Sequence, residues 1–139
     1  MKLSISGVLK QASEFDTVEK RKMFILQHDS PAIQQVLKYC FDPNIKFALP
    51  PGKAPYVPSD GERLEGRLYA EARKLYLFIE GGHPGLTKLK REQLFIDLLE
   101  SIHPDDAELL VAVKDKKMPI KNITPNLVKK TYPGLIEPT

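Results

Sequence analysis

Six lysines stand between Lys114 and Lys130, and the single acid among them is Asp115. Six charges against one leave a local balance of +5, more than the +3 of the whole chain. Lys116 and Lys117 close one predicted helix, Lys121 falls in a connection, and Lys129 and Lys130 lie on a short final helix. This pattern has two readings. Lysines near helix C-termini complement the helix dipole and keep a surface solvated. They also suit phosphate oxygens: Asn122, Thr124 and nearby amides open a new helix, where anions are favoured, and lysine adds point charge that asks for no base sequence. Neutralising about four phosphates would give log K a slope against log salt of roughly −3 to −4.

Other residues with chemical potential are less promising. His28, His83 and His103 are far apart and follow no metal-ligand spacing. Cys40 falls on the apolar stripe of a predicted helix, where a thiol is inert. Gly81, Gly82 and Gly85 lack the spacing of a phosphate loop, and Pro84 removes an amide that such a cradle would use. Asp105 and Asp106 sit at a helix start, where capping accounts for them. Nothing nominates a nucleophile or a base. The expectation is a protein that is not an enzyme and takes no cofactor or metal.

The elements that must carry the lysines are helical. The 139 residues, 42% hydrophobic and 28% charged, suit one globular domain over 1–139. No stretch approaches the roughly 18 apolar residues of a membrane span. With Cys40 the only cysteine, a reducing, cytoplasmic setting is expected. "SPAIQQVLKYCF" is the clearest helix: Ser30 caps, Pro31 takes the first turn, and Ile33, Val36, Leu37, Cys40 and Phe41 share a face. Leu3, Val8 and Leu9 outline a first helix. Asp16 with Glu19, and Asp105 with Glu108, fit capping boxes for two others, the first carrying Val18, Ile25 and Leu26 inward. A helix is predicted from about Glu62 to Glu80, with Leu64, Leu68, Ala72, Leu75 and Ile79 inward, and another with Leu89, Phe95, Ile96, Leu98, Leu99 and Ile102 inward. Thr124-Pro125 opens the last helix, and Pro133-Gly134 ends it. Between about 42 and 61 five prolines forbid helix and central strand alike. The predicted fold is all-α: a compact bundle of six to seven helices with one long proline-rich loop.

"DDAELLVAVKDKKMPIKNITPNLVKKTYPGLI" resembles the end of the N-terminal DNA-binding domain of ATP-dependent DNA ligases, the T-even-phage type in particular. There an acidic helix start leads to a basic, glycine-containing turn and a short helix ending in aromatic-Pro-Gly-Leu-Ile. "ASEFDTVEKRKMFILQHDSPAIQQVLKYCFDP" is similar to its opening helices, and "LTKLKREQLFIDLLESIHPDDAELL" has the spacing of its middle ones. The resemblance implies a helical domain gripping double-stranded or nicked DNA by its backbone, with Lys116, Lys117, Lys121, Asn122, Thr124, Lys129 and Lys130 as contacts. Lys88, Lys90 and Arg91 would extend the same face. Lys121 or Asn122 stands where the family's turn has glycine. The Lys-x-Asp-Gly motif of the ligase catalytic domain does not occur, so a stand-alone monomeric domain without ligase activity is expected. Such a protein would serve as a phage replication or repair accessory, in the host cytoplasm if viral.

The alternative is a protein-interaction module on the same scaffold. Its ligand for a replication or host protein would be the "LPPGKAPYVP" loop, with Pro50, Pro51, Tyr56 and Pro58 presented in extended chain.

Overall fold

The computed structural model describes residues 3–136. The termini behind the expectation of a stand-alone domain lie outside those residues. The chain is all-α: α1 (Ile5–Ser13), α2 (Val18–Gln27), α3 (Pro31–Phe41), α4 (Arg67–Glu71), α5 (Lys88–Ser101), α6 (Pro104–Lys114) and α7 (Pro125–Thr131), with a 3-10 helix at Ala72–Phe78. No helix among the described residues is long and apolar enough to cross a membrane.

Helix α3 forms as its sequence dictates. The Ser30 hydroxyl accepts from the Ile33 amide at 3.1 Å, Pro31 occupies the first turn, and Ile33, Val36, Leu37 and Cys40 are buried. Full burial of each such side chain contributes about 1.5–3 kcal/mol. In α1, Ile5, Val8, Leu9 and Ala12 form the inward face. That helix packs on α2 and α6, while α3 packs on α6, α4 and the 3-10 helix, and α7 closes the bundle against α2.

Two predicted caps move by a residue or more. Thr17, not Asp16, caps α2, its hydroxyl accepting from the Lys20 amide at 3.2 Å; Asp16 pairs with the Lys20 ammonium at 3.1 Å instead. At α6 the cap is His103, whose Nδ1 accepts from the Asp105 amide at 3.1 Å. Asp106, in the first turn of α6, reaches α1, where its Oδ1 accepts from the Ser6 amide at 2.8 Å.

The predicted helix from Glu62 to Glu80 is the largest departure. Gly61 and Arg63 take positive φ angles of 79° and 61°, which the right-handed helix excludes. Gly61 has little choice: a Cβ there would stand 3.0 Å from Pro104 Cδ. After the short α4, the backbone tightens to three residues per turn, which stacks Ala72, Leu75 and Phe78 on one buried face. Ile79 is then extended, paired with Phe47 in an isolated antiparallel bridge. The Ala48 amide donates to the Phe78 carbonyl at 2.7 Å and the Glu80 amide to the Lys46 carbonyl at 2.8 Å. Phe78 meets Phe95 of α5 edge to face at 5.2 Å. Leu89, in the first turn of α5, and Leu26 of α2 are exposed and not inward as expected, because no neighbouring element covers those positions.

The proline-rich segment is a strap fixed to the bundle at several points. The Gly52 amide donates to Asp115 Oδ2 at 3.0 Å, the Val57 amide to Glu100 Oε2 at 2.8 Å, and the Ser59 hydroxyl to the Ile102 carbonyl at 2.7 Å.

Candidate nucleic-acid interface

The basic turn begins where α6 ends. The Lys116 amide donates to the Val113 carbonyl at 2.8 Å and the Lys117 amide to the Ala112 carbonyl at 3.0 Å. These two crossed bonds make a Schellman motif, whose left-handed position normally belongs to glycine. Here Lys116 holds it, at φ 62°. Its side chain explains the choice. Lys116 Nζ donates to the carbonyls of Tyr39, Asp42 and Ile45 at 2.5, 2.8 and 2.7 Å, at and beyond the C-terminus of α3. The Tyr39 and Asp42 carbonyls belong to the end of that helix, which carries the negative end of its dipole, and Ile45 follows in the loop. Burial pulls the Lys116 ammonium below the usual lysine range, against the opposing influence of Cys40 and Asp42.

Asn122 repeats the arrangement. It too is left-handed, at φ 70°, and its Nδ2 donates to the Ser13 carbonyl at 3.0 Å, at the C-terminus of α1. Two non-glycine residues, Lys116 and Asn122, thus hold left-handed positions in this turn, and in each the side chain closes another helix. Ile120 and Ile123 are buried between them. Thr124 caps α7, its hydroxyl accepting from the Leu127 amide at 3.2 Å.

Three of the predicted contacts thus have structural work: all three N–H donors of Lys116 are spent on carbonyls, Asn122 is tied to α1, and the Thr124 hydroxyl caps. Lys117, Lys121, Lys129 and Lys130 remain, all exposed. None of the four is in an ion pair among the described residues. On α7, Leu127, Val128 and Thr131 turn inward, which leaves Lys129 and Lys130 outward. Asp115 does not offset them. One of its oxygens accepts from Lys114 Nζ at 3.0 Å and the other from the Gly52 amide, while Lys114 Nζ also donates to the Gly52 carbonyl at 2.5 Å. The Lys114 side chain is only 2% exposed, so the sixth lysine belongs to the strap lock and not to the surface.

The second basic group lies at the start of α5. Arg91 does not project: its guanidinium donates to the carbonyls of Leu77, Leu86 and His83 at 3.1, 3.1 and 3.4 Å and holds the glycine turn in place. Lys88 and Lys90 are exposed at the start of α5. Lys88 and Arg91 border the strap at Pro50 and Pro51, and the strap at Gly52 then meets Lys114 and Asp115.

Along the strap Pro50, Pro51 and Pro58 are exposed, as predicted of a presented segment, and Val57 is 74% exposed. Tyr56 departs from that prediction. It packs partly buried against the core, where burial and then the Glu108 charge raise its phenol above the usual range.

The remaining residues with chemical potential are placed as follows. Cys40 is buried and its thiol is pushed up to about 11 by desolvation, the reverse of an activated nucleophile. His28 packs on Phe24 with ring centroids 4.6 Å apart. Asp106 was masked in sequence by its place in a helix start. It is fully buried, its Oδ2 has no hydrogen-bond partner, and burial, partly offset by the Ser6 amide, raises it to about 6.

No curated protein matches this chain. Residues 8–119 match the family model DUF6433, described as a family of unknown function. The match takes in the strap, the Lys114–Asp115 lock, Lys116 and Lys117, and stops before Lys121 and α7. The matched region is most of the chain, which therefore belongs to the DUF6433 family.

Proposed function

We propose that this protein is a non-catalytic binder of duplex DNA that holds the phosphate backbone without reading base sequence, through Lys117, Lys121, Lys129 and Lys130. One observation carries the reading: four exposed, unpaired lysines lie in a stretch from Lys116 to Ile136 that contains no acid, and the neighbouring Asp115 is consumed by Lys114 and Gly52. Lysines of this kind neutralise phosphates and release counterions, which supplies affinity without specificity. The resemblance of this segment to the ligase DNA-binding domain supports the same reading. The fitting role is that of a monomeric replication or repair accessory in the cytoplasm, of a phage host if the protein is viral.

Fluorescence anisotropy with nicked and intact duplexes at two salt concentrations tests it. Micromolar binding at low salt is expected, with a slope of log K on log salt of roughly −3 to −4. Changing Lys117, Lys121, Lys129 and Lys130 together to Glu is expected to abolish it. Absence of binding at low salt, or full binding by that variant, rejects the proposal.

A protein-interaction role has its own observation, the exposed Val57 flanked by exposed Pro55 and Pro58 on backbone that Glu100 fixes. Preformed extended chain of this kind docks at low entropic cost. A partner recovered equally well by Val57→Asp would remove the strap as its ligand.

A further inference from the structure

The turn between α6 and α7 is fixed from below at nearly every step. Lys114 and Asp115 hold the strap, Lys116 holds the end of α3, Ile120 and Ile123 are buried, and Asn122 holds the end of α1. What projects between these anchors is Lys117 and Lys121, followed by Lys129 and Lys130 on a helix capped by Thr124. The backbone that carries these charges keeps its spacing, although each ammonium swings on its own stem.

Cations mounted on a fixed backbone gain most from anions that are themselves fixed. Duplex DNA offers fixed phosphates, whereas a single strand must be ordered around the protein at an entropic cost. Single strands also draw on aromatic platforms for stacking, and from Lys114 to Thr131 there is no aromatic residue. The ring that follows, Tyr132, has its hydroxyl tied to Asp29 Oδ1 at 2.7 Å.

We propose that Lys116 and Asn122 are positioning residues, which touch no phosphate themselves but fix the exposed lysines in an array that prefers duplex over single-stranded DNA. The inference rests on the DNA-binding reading above. It separates two roles that charge alone confuses. Lys116 is as basic in sequence as Lys117, yet its three donors point to Tyr39, Asp42 and Ile45.

The experiment compares the unaltered protein with Asn122→Gly and Lys116→Met, by anisotropy with a labelled duplex and with one of its strands, across a salt series. It is run at a temperature where circular dichroism shows each variant folded. Asn122→Gly keeps a residue suited to positive φ and changes no charge, so it retains the fold should Lys116→Met lose it. Both variants are expected to lose duplex affinity by roughly tenfold and to bind the two DNAs about equally, with the salt slope unchanged. A purely structural role would lower the melting temperature and leave the duplex preference intact. That result overturns the inference and leaves the DNA reading standing. A slope smaller by about one for Lys116→Met overturns it as well, because that ammonium would then be on a phosphate. Equal binding of both DNAs by the unaltered protein overturns the duplex preference, and no binding at all ends both readings.

Discussion

The Lys116 ammonium donates to the Tyr39 carbonyl at 2.5 Å, across 77 positions of sequence. It closes α3 from outside that helix, and it does so from a backbone conformation that lysine rarely adopts. Substitution here separates the two effects. Lys116→Ala keeps the left-handed strain and loses the three bonds, whereas Lys116→Gly loses the bonds and relieves the strain. Lys116→Ala is expected to cost about 2–3 kcal/mol, since several carbonyls lose a charged donor. The glycine variant should recover about 1 kcal/mol of that. Urea unfolding of the three proteins checks the order, and a glycine variant no more stable than the alanine one contradicts it.

Asp106 sets a pH dependence. Its ordinary value is 3.8 and the folded protein raises it to about 6. Between those values the folded state keeps a proton that the unfolded chain has lost. The contribution to stability is therefore complete below the lower value and is lost as pH rises through the upper one. Asp106→Asn preserves an acceptor for the Ser6 amide and cannot ionise. It should gain on the natural protein between pH 4 and 6 and stay ahead by about 2–3 kcal/mol at neutral pH. Chemical denaturation at a series of pH values reads the difference, and parallel curves refute it.

The strap lock makes a local prediction. Asp115→Ala removes the acceptor of the Gly52 amide and leaves the buried Lys114 ammonium with the Gly52 carbonyl alone. The expected cost is about 2–3 kcal/mol, concentrated in the strap. Proteolysis should then cut between residues 50 and 58 faster than elsewhere. Unchanged cleavage would show that Glu100 and Ile102 hold the strap without the lock.

Cys40 should resist thiol reagents in the folded state, since it is buried and its thiolate is unfavourable below pH of about 11. Its labelling rate should follow the unfolding equilibrium as urea is added. Rapid labelling of the native protein would disprove that burial.

What sequence conveys here is whatever depends on near neighbours. Helix α3 was legible because Ser30, Pro31 and the stripe from Ile33 to Cys40 all act within one helix. The Glu62–Glu80 helix was misjudged because its apolar spacing fits both helix types. The deciding facts, the crowding of Gly61 by Pro104 and the pairing of Ile79 with Phe47, are tertiary. The candidate site divides in the same way. Exposure of Lys117, Lys121, Lys129 and Lys130 follows the local pattern of inward Ile120, Ile123, Leu127 and Val128. The commitments of Lys116, Asn122 and Arg91 were not legible, because the carbonyls they reach lie on other segments of the chain.

The helix ends finished by distant side chains also order events in time. Asp106 completes the start of α1 from 100 positions away, Asn122 completes its end from 109, and Lys116 completes the end of α3 from 71 to 77. During synthesis the first helices emerge with these termini open, and loop-closure entropy must be met before they can shut. The ends of α1 and α3 therefore lack these partners until translation delivers the basic turn.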